Sequence, residues 1–242
     1  RRQRQMCIRD RWRVVENGDD HVTFLLHSPD GDQGYPGALD MKVTYTLDEE
    51  NGLTIHYEAV PDQDTVINMT NHSYFNLNGH KSGSVLHHRM QLLSDAFTPA
   101  DAQSIPTGEV CSVDGTPMDF RSTKELGAEI DAAYEPLILG NGYDHNWVLK
   151  NEGRFDKVAE VTGDESGIVM EVWTDRPGVQ VYTANFLENE AGRNGAVYQK
   201  RDAVCLETQN YPDAVHQKNF PEAICKKGET LSLIHISEPT RH

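Results

Sequence analysis

Alternation of apolar and polar positions organises much of the chain. In HVTFLLHS (residues 21–28) Val22, Phe24 and Leu26 share one side, in MKVTYTLD (41–48) Met41, Val43, Tyr45 and Leu47 do, and in LTIHYEAV (53–60) Leu53, Ile55, Tyr57 and Ala59 do. A period of two puts alternate side chains on opposite faces of a pleated strand, so each run predicts a strand with one buried face. The separators SPDGDQGYPG and DEENG are turn sequences, in which Gly supplies positive φ and Pro fixes φ. Later runs GIVMEVWTD, VQVYTANFL and AVCLETQN predict further strands, and only STKELGAEI (122–130) reads as helical. The expected fold class is all-β, an antiparallel β-sandwich in one domain, with no internal repeat and no linker.

The two ends break this pattern. RRQRQMCIRDR (1–11) holds five arginines against one aspartate, and LSLIHISEPTRH (231–242) follows the turn KKGET without sharing the preceding alternation. Both resemble read-through of foreign sequence, so residues 12–230 are taken as the domain and the two tails as non-native additions.

Composition narrows the partners. A formal net charge of −16 over 242 residues disfavours nucleic acid and anionic membrane, both of which call for clustered Lys and Arg. No apolar run is long enough to span a bilayer. Cys7, Cys111, Cys205 and Cys225 lack CxxC spacing and read as idle free thiols. They fit a cytoplasmic setting, and the chain carries no signal of its oligomeric state.

Four polar clusters interrupt the strands: NMTNHSYFN around His72, NGYDHNWVL with Asp144 and His145, PGVQVYTANFL with Gln180, Tyr182 and Asn185, and CLETQNYPDAVHQKNFP with Glu207 and Gln209. Each alone has a structural explanation, as a turn or an edge charge. Together they would line one face with carboxylates, amides and an imidazole. That chemistry suits a sugar, whose hydroxyls both donate and accept, with Tyr74, Phe75, Trp147 or Tyr182 available for its apolar face. A metal centre is disfavoured, because the adjacent pairs His87–His88 and Asp144–His145 would point to opposite faces. No G-x-S-x-G, P-loop or G-x-G-x-x-G is present.

In order and spacing, TNHSYFNLNG, GTPMDFR, GNGYDHNWVL, PGVQVYTANFL and LETQNYPDAVHQKNFP resemble the motif series of the aldose 1-epimerase (galactose mutarotase) family across residues 12–230. The resemblance implies a large antiparallel β-sandwich, the galactose mutarotase-like supersandwich, and interconversion of the α and β anomers of free aldoses such as galactose and glucose in hexose metabolism, without cofactor or metal. It implies that His72 is the general acid and Glu207 the general base, and that Asp144 and Gln180 contact the sugar. Asn71 is kept among the substrate-binding candidates, although with Tyr74 and Asn76 its simpler part is to support the loop around His72. Family members carry further strands, with an Asn-Arg and a His-Gly-Gly element, before the position of Trp12, and a last strand after KKGET. The chain is therefore expected to be a fragment truncated at both ends, with exposed sheet edges that make it poorly stable alone. Two other readings stay open: a silent carbohydrate-binding protein on the same fold, and a hexose-6-phosphate 1-epimerase using Arg89, Arg121 or Lys124.

Overall fold

The structure, a computed structural model, describes residues 12–241, with side chains through residue 235. The basic opening segment 1–11, and Cys7 with it, lies outside the described residues. The chain divides into two units, one of residues 1–67 and 223–236 and one of residues 68–222 and 237–242.

The first unit is an antiparallel meander of β1 (Arg13–Asn17), β2 (His21–Ser28), β3 (Leu39–Leu47) and β4 (Leu53–Pro61), with the short β5 (Thr65–Val66) paired to β17 (Ile224–Cys225). The DEENG hairpin between β3 and β4 closes because the Asp48 carboxylate accepts from the N–H groups of Glu50 and Gly52, at 2.9 and 2.7 Å, while Asn51 takes a left-handed φ of 70°. The predicted alternation is clearest in β4, where Ile55, Tyr57 and Ala59 are buried. In β3 it holds at Val43 but not at Leu47, which is 57% exposed at the strand end. In β2 the buried position is Thr23 rather than Val22, Phe24 or Leu26, which are only partly covered. Its hydroxyl bonds the Thr44 hydroxyl across the strand pair at 2.9 Å, and that mutual satisfaction lets a polar side chain take the deeper face. Residues 231–241 run as β18 (Leu231–Arg241) beside β4, with Leu233 and His235 buried. Backbone pairing asks only for a fitting alternation, which Leu233 and His235 provide.

The second unit is a β-sandwich. One sheet has the order β12 (Ile168–Thr174), β11 (Asp156–Thr162), β6 (Arg89–Leu92), β9 (Lys124–Glu125). The other runs β16 (Cys205–Gln209), β13 (Gly178–Tyr182), β10 (Asp144–Val148), β7 (Ala96–Thr98), β8 (Cys111–Ser112), and a small pair β14 (Glu190–Ala191) with β15 (Val197–Tyr198) lies apart from both. Met90, Leu92, Val161, Met170 and Val172 from the first sheet and Phe97, Trp147, Val179, Val181 and Leu206 from the second form one buried core. Trp147 is 1% exposed and its indole N–H donates to the Met118 carbonyl at 3.0 Å, so its ring is part of the core and not the sugar platform suggested by its motif. Burying a side chain of this size stabilises by about 2–3 kcal/mol.

STKELGAEI does not form the expected helix. Lys124–Glu125 pairs with Arg89 and Met90 as β9, and Gly127 sits so close to Leu86 that a Cβ there would meet its carbonyl oxygen at 2.9 Å. Strand pairing overrides the local helical preference. Among the described residues the α-helix is α1 (Glu135–Gly140), started by a proline and ended by Asn141 at a left-handed φ of 54°.

Candidate active site

The register of β10, β13 and β16 builds the candidate site in rows. Asn146, Gln180 and Glu207 lie opposite one another, as do Asp144, Tyr182 and Cys205. Because alternate residues share a face, these six side chains stand on the side of the sheet away from Trp147, Val179, Val181 and Leu206. One face of the same three strands therefore makes the core and the other makes the site.

His72 arrives from a loop. Phe75 pairs with Val204 through two backbone hydrogen bonds of 2.9 Å, just before β16 begins, and Asn76 donates to the carbonyls of Gly83 and Asp202 at 2.7 and 3.1 Å. The Asn71 side-chain Oδ1 accepts from the Ser73 N–H at 3.1 Å, which tightens the turn at His72. Downstream, the fully buried His88 accepts the Leu77 N–H at 3.0 Å on Nε2 and faces Asp164 at 2.9 Å through Nδ1, so the acceptor role of Nε2 fixes Nδ1 as the donor. The loop thus has structural uses for its polar side chains at both ends, and leaves His72 as the imidazole that reaches over the sheet.

There the His72 Nε2 lies 3.4 Å from Glu207 Oε1. The His72 ring stacks on Tyr74 with centroids 5.1 Å apart and meets Tyr182 edge-on at 5.9 Å, and Phe186 stacks on Tyr182 in turn at 6.3 Å. Gln180 donates to Asp144 Oδ1 at 2.8 Å. The turn leading into Asp144 is fixed by Asn185, whose amide donates to the carbonyls of Gly140 and Tyr143 at 3.0 and 2.8 Å. Gly142 in that turn has φ of 130°, and a Cβ there would meet the Asn185 oxygen at 2.6 Å. Asn185 is accordingly a support buried under the site, whereas its motif neighbours Gln180 and Tyr182 are on the site face.

Burial sets the electrostatics. The Glu207 side chain is 10% exposed, and desolvation, reinforced by the Asp144 charge, pushes its carboxyl from 4.5 up to about 8. His72 is held below its ordinary 6.5, chiefly by desolvation, against its own backbone contact and the pull of Asp144. The Asp144 carboxyl is raised by burial, opposed by the Gln180 hydrogen bond and by His72. Near neutrality the His72–Glu207 pair therefore shares one proton between an acidic and a basic group, which is the equipment for moving one proton on and another off a substrate.

Of the residues picked out from sequence, His72, Glu207, Asp144 and Gln180 are brought together. His145 goes to the opposite face, as its adjacency to Asp144 requires: it is buried edge-on against Phe97 with its basicity lowered to about 4 by desolvation. Cys205, which reads from the sequence as an idle thiol, and Asn146, which carries no reading there, both face the site. The signal for each was available in the period of two, since Cys205 precedes Glu207 by two positions and Asn146 follows Asp144 by two. Cys205 and Cys225 are buried and Cys111 is partly covered, all as free thiols.

Comparison with known proteins bears on this arrangement. The sequence profile of the aldose 1-epimerase family matches residues 4–235. The chain belongs to the aldose 1-epimerase family. It is 46% identical over 218 residues to the galactose mutarotase of Homo sapiens, covering 90% of this chain and 61% of that protein. To the aldose 1-epimerase of Escherichia coli (strain K12) it is 37% identical over 227 residues, 93% of this chain and 65% of that one. The chain thus spans less than two-thirds of the length of these curated relatives. Among solved structures it is similar to a GalM/aldose epimerase homologue from C. elegans (TM-score 0.86, 27% identity, 95% of this chain and 68% of that one). It is also similar to the galactose 1-epimerase of Lactobacillus acidophilus NCFM (TM-score 0.80, 26% identity, 96% and 67%). The regular secondary structure of the described residues is mostly strand, and no helix among them is long and apolar enough to cross a membrane.

Proposed function

We propose that this chain carries the acid–base centre of an aldose 1-epimerase, which interconverts the α and β anomers of free aldohexoses such as galactose and glucose. The observation that supports it most is the 3.4 Å approach of His72 Nε2 to Glu207 Oε1 on a face otherwise lined by Asp144, Gln180 and Tyr182. In a cyclic aldose the ring oxygen and the anomeric hydroxyl are bonded to the same carbon, so an acid for one and a base for the other must converge on one small volume. Glu207 first passes the pair's proton to His72 Nε2 across their 3.4 Å contact; the carboxylate then takes the proton of the anomeric hydroxyl while the imidazolium delivers one to the ring oxygen, and the bond from C1 to the ring oxygen breaks. The open aldehyde turns about the C1–C2 bond and is attacked on its other face by the same hydroxyl. His72 then takes that hydroxyl's proton back and Glu207 returns one to the new anomeric oxygen, so each group ends as it began.

Asp144, Gln180 and Asn71 are assigned as polar contacts to the sugar, with Asp144 and Gln180 aligned by their mutual hydrogen bond. The proposal needs no cofactor, its substrate is a small neutral aldose, the domain is residues 12–230, and the setting is cytoplasmic in keeping with the free thiols. Two of the three cations that a hexose phosphate would call on are already engaged, Arg121 by Asp114 and Asp119 and Lys124 by Glu129.

The decisive test is polarimetry of freshly dissolved α-galactose with the 242-residue chain, alongside calorimetric sugar binding. Accelerated decay of optical rotation that is lost in Glu207→Gln is expected. Sugar binding with a decay equal to that of buffer would turn the reading into a silent carbohydrate binder.

A further inference from the structure

Cys205 and Glu207 are two apart on β16 and leave it on the same face, and the loop anchored by the Phe75–Val204 backbone pair holds His72 above them. A ring nitrogen of His72, the Sγ of Cys205 and a carboxylate oxygen of Glu207 all lie within 4.8 Å of one another. We propose that these three groups form a binding site for a borderline-soft divalent cation of the Zn2+ or Co2+ type, and that its occupation shuts the site to sugar.

The donor set argues for that class of ion. One imidazole, one thiolate and one carboxylate is a set that tetrahedral Zn2+ accepts, whereas Mg2+ and Ca2+ require six or more oxygens and gain nothing from sulfur. Bonds of about 2.0–2.3 Å around a tetrahedral ion place neighbouring donor atoms about 3.5 Å apart. The His72 Nε2 to Glu207 Oε1 separation of 3.4 Å already has that value. The 4.8 Å bound leaves the Sγ only a small side-chain adjustment from it. Two of the donors are fixed by strand register and sit in a sheet, so little ordering is needed on binding. Asp144 stands opposite Tyr182 in the row that also holds Cys205, and adds a second carboxylate to the neighbourhood of the cation. The half-exposed His72 leaves the fourth coordination position to water. On binding, the thiol proton, and the carboxyl proton where Glu207 carries one, pass to solvent. No electron is transferred.

Metal binding itself does not depend on the activity proposed above. The consequence does rest on it: the atoms that would hold the ion are those assigned to the acid and the base, so metal and aldose exclude each other.

The test is a Co2+ titration of the 242-residue chain with its thiols kept reduced by a phosphine. The expected result is a sulfur-to-cobalt charge-transfer band that saturates at one equivalent and is bleached by Zn2+. Cys205→Ser should abolish the band, and a chain with Cys7, Cys111 and Cys225 all changed to Ser should keep it. That second chain decides the matter even where Cys205→Ser loses its melting transition. Absence of the band there, or its survival in folded Cys205→Ser, overturns the proposal. Glu207→Gln should weaken Co2+ binding at least tenfold, and unchanged binding would remove Glu207 from the site. Zn2+ that bleaches the band should also stop mutarotation. If the chain shows no mutarotation at all, the proposed function fails while the cobalt result stands or falls separately.

Discussion

Changing Glu207 to Gln separates what the carboxylate does for catalysis from what its burial costs the fold. In the folded chain the carboxyl is pushed from 4.5 up to about 8, with desolvation as the main cause and the Asp144 charge second. The folded state therefore binds this proton more tightly than the unfolded chain does. Below 4.5 both states are protonated and nothing is lost. Between 4.5 and about 8 the unfolded chain ionises while the folded one does not, so stability falls as pH rises, by roughly 1 kcal/mol or a little more for each pH unit. From 4.5 to pH 7 there are 2.5 such units, so the penalty at neutrality is about 3 kcal/mol. Glutamine has nearly the same shape and cannot ionise, so it escapes this slope. Urea denaturation of both proteins at several pH values between about 5 and 8 should show Glu207→Gln gaining on the wild type by roughly 1 kcal/mol or a little more per unit, while its mutarotation is largely lost. Parallel stability curves for the two proteins would refute the argument, since they would mean that burial does not hold the proton on Glu207.

The remaining expectations concern the site and its support. The mutarotation rate should be bell-shaped in pH, because only the singly protonated His72–Glu207 pair works: the alkaline limb should fall near 8 and the acid limb below 6.5, and a flat profile by polarimetry would count against the pair. Gln180→Ala removes the donor that holds Asp144 Oδ1 and should raise KM for galactose roughly tenfold with a smaller change in kcat, read from initial rates. Trp147→Ala empties the centre of the second unit and should cost about 3–5 kcal/mol, measured by urea denaturation; a loss under 1 kcal/mol would contradict its place in the core.

Much of this was legible from the residues. The strands at 53–61, 168–174 and 205–209 fall where the sequence places them, the strand at 178–182 stops five residues short of the end of VQVYTANFL, and the polar clusters on β10, β13 and β16 meet because register brings residues of the same parity together. Long-range facts were not legible. That Thr23 would be the buried position of β2 depends on Thr44 standing opposite it, and that residues 124–125 would pair with β6 rather than coil depends on a partner more than thirty positions away. Trp147 looked like a sugar platform because it shares a motif with Asp144, but three positions apart on a strand means opposite faces. The same parity argument, carried one step further from Glu207 and Asp144, reaches Cys205 and Asn146.

The parity on which the site rests also decides which changes of length the chain tolerates. Core and site are two faces of the same three strands, so inserting or deleting a single residue within β10, β13 or β16 would turn every following side chain over, sending carboxylates into the sandwich and valines into the sugar's place. Changes of two residues would restore the faces but shift the rows. Loops such as the one carrying 187–196, which contribute no side chain to these rows, have no such constraint. Changes of length in this chain should therefore be tolerated in its connections and not within its three site strands.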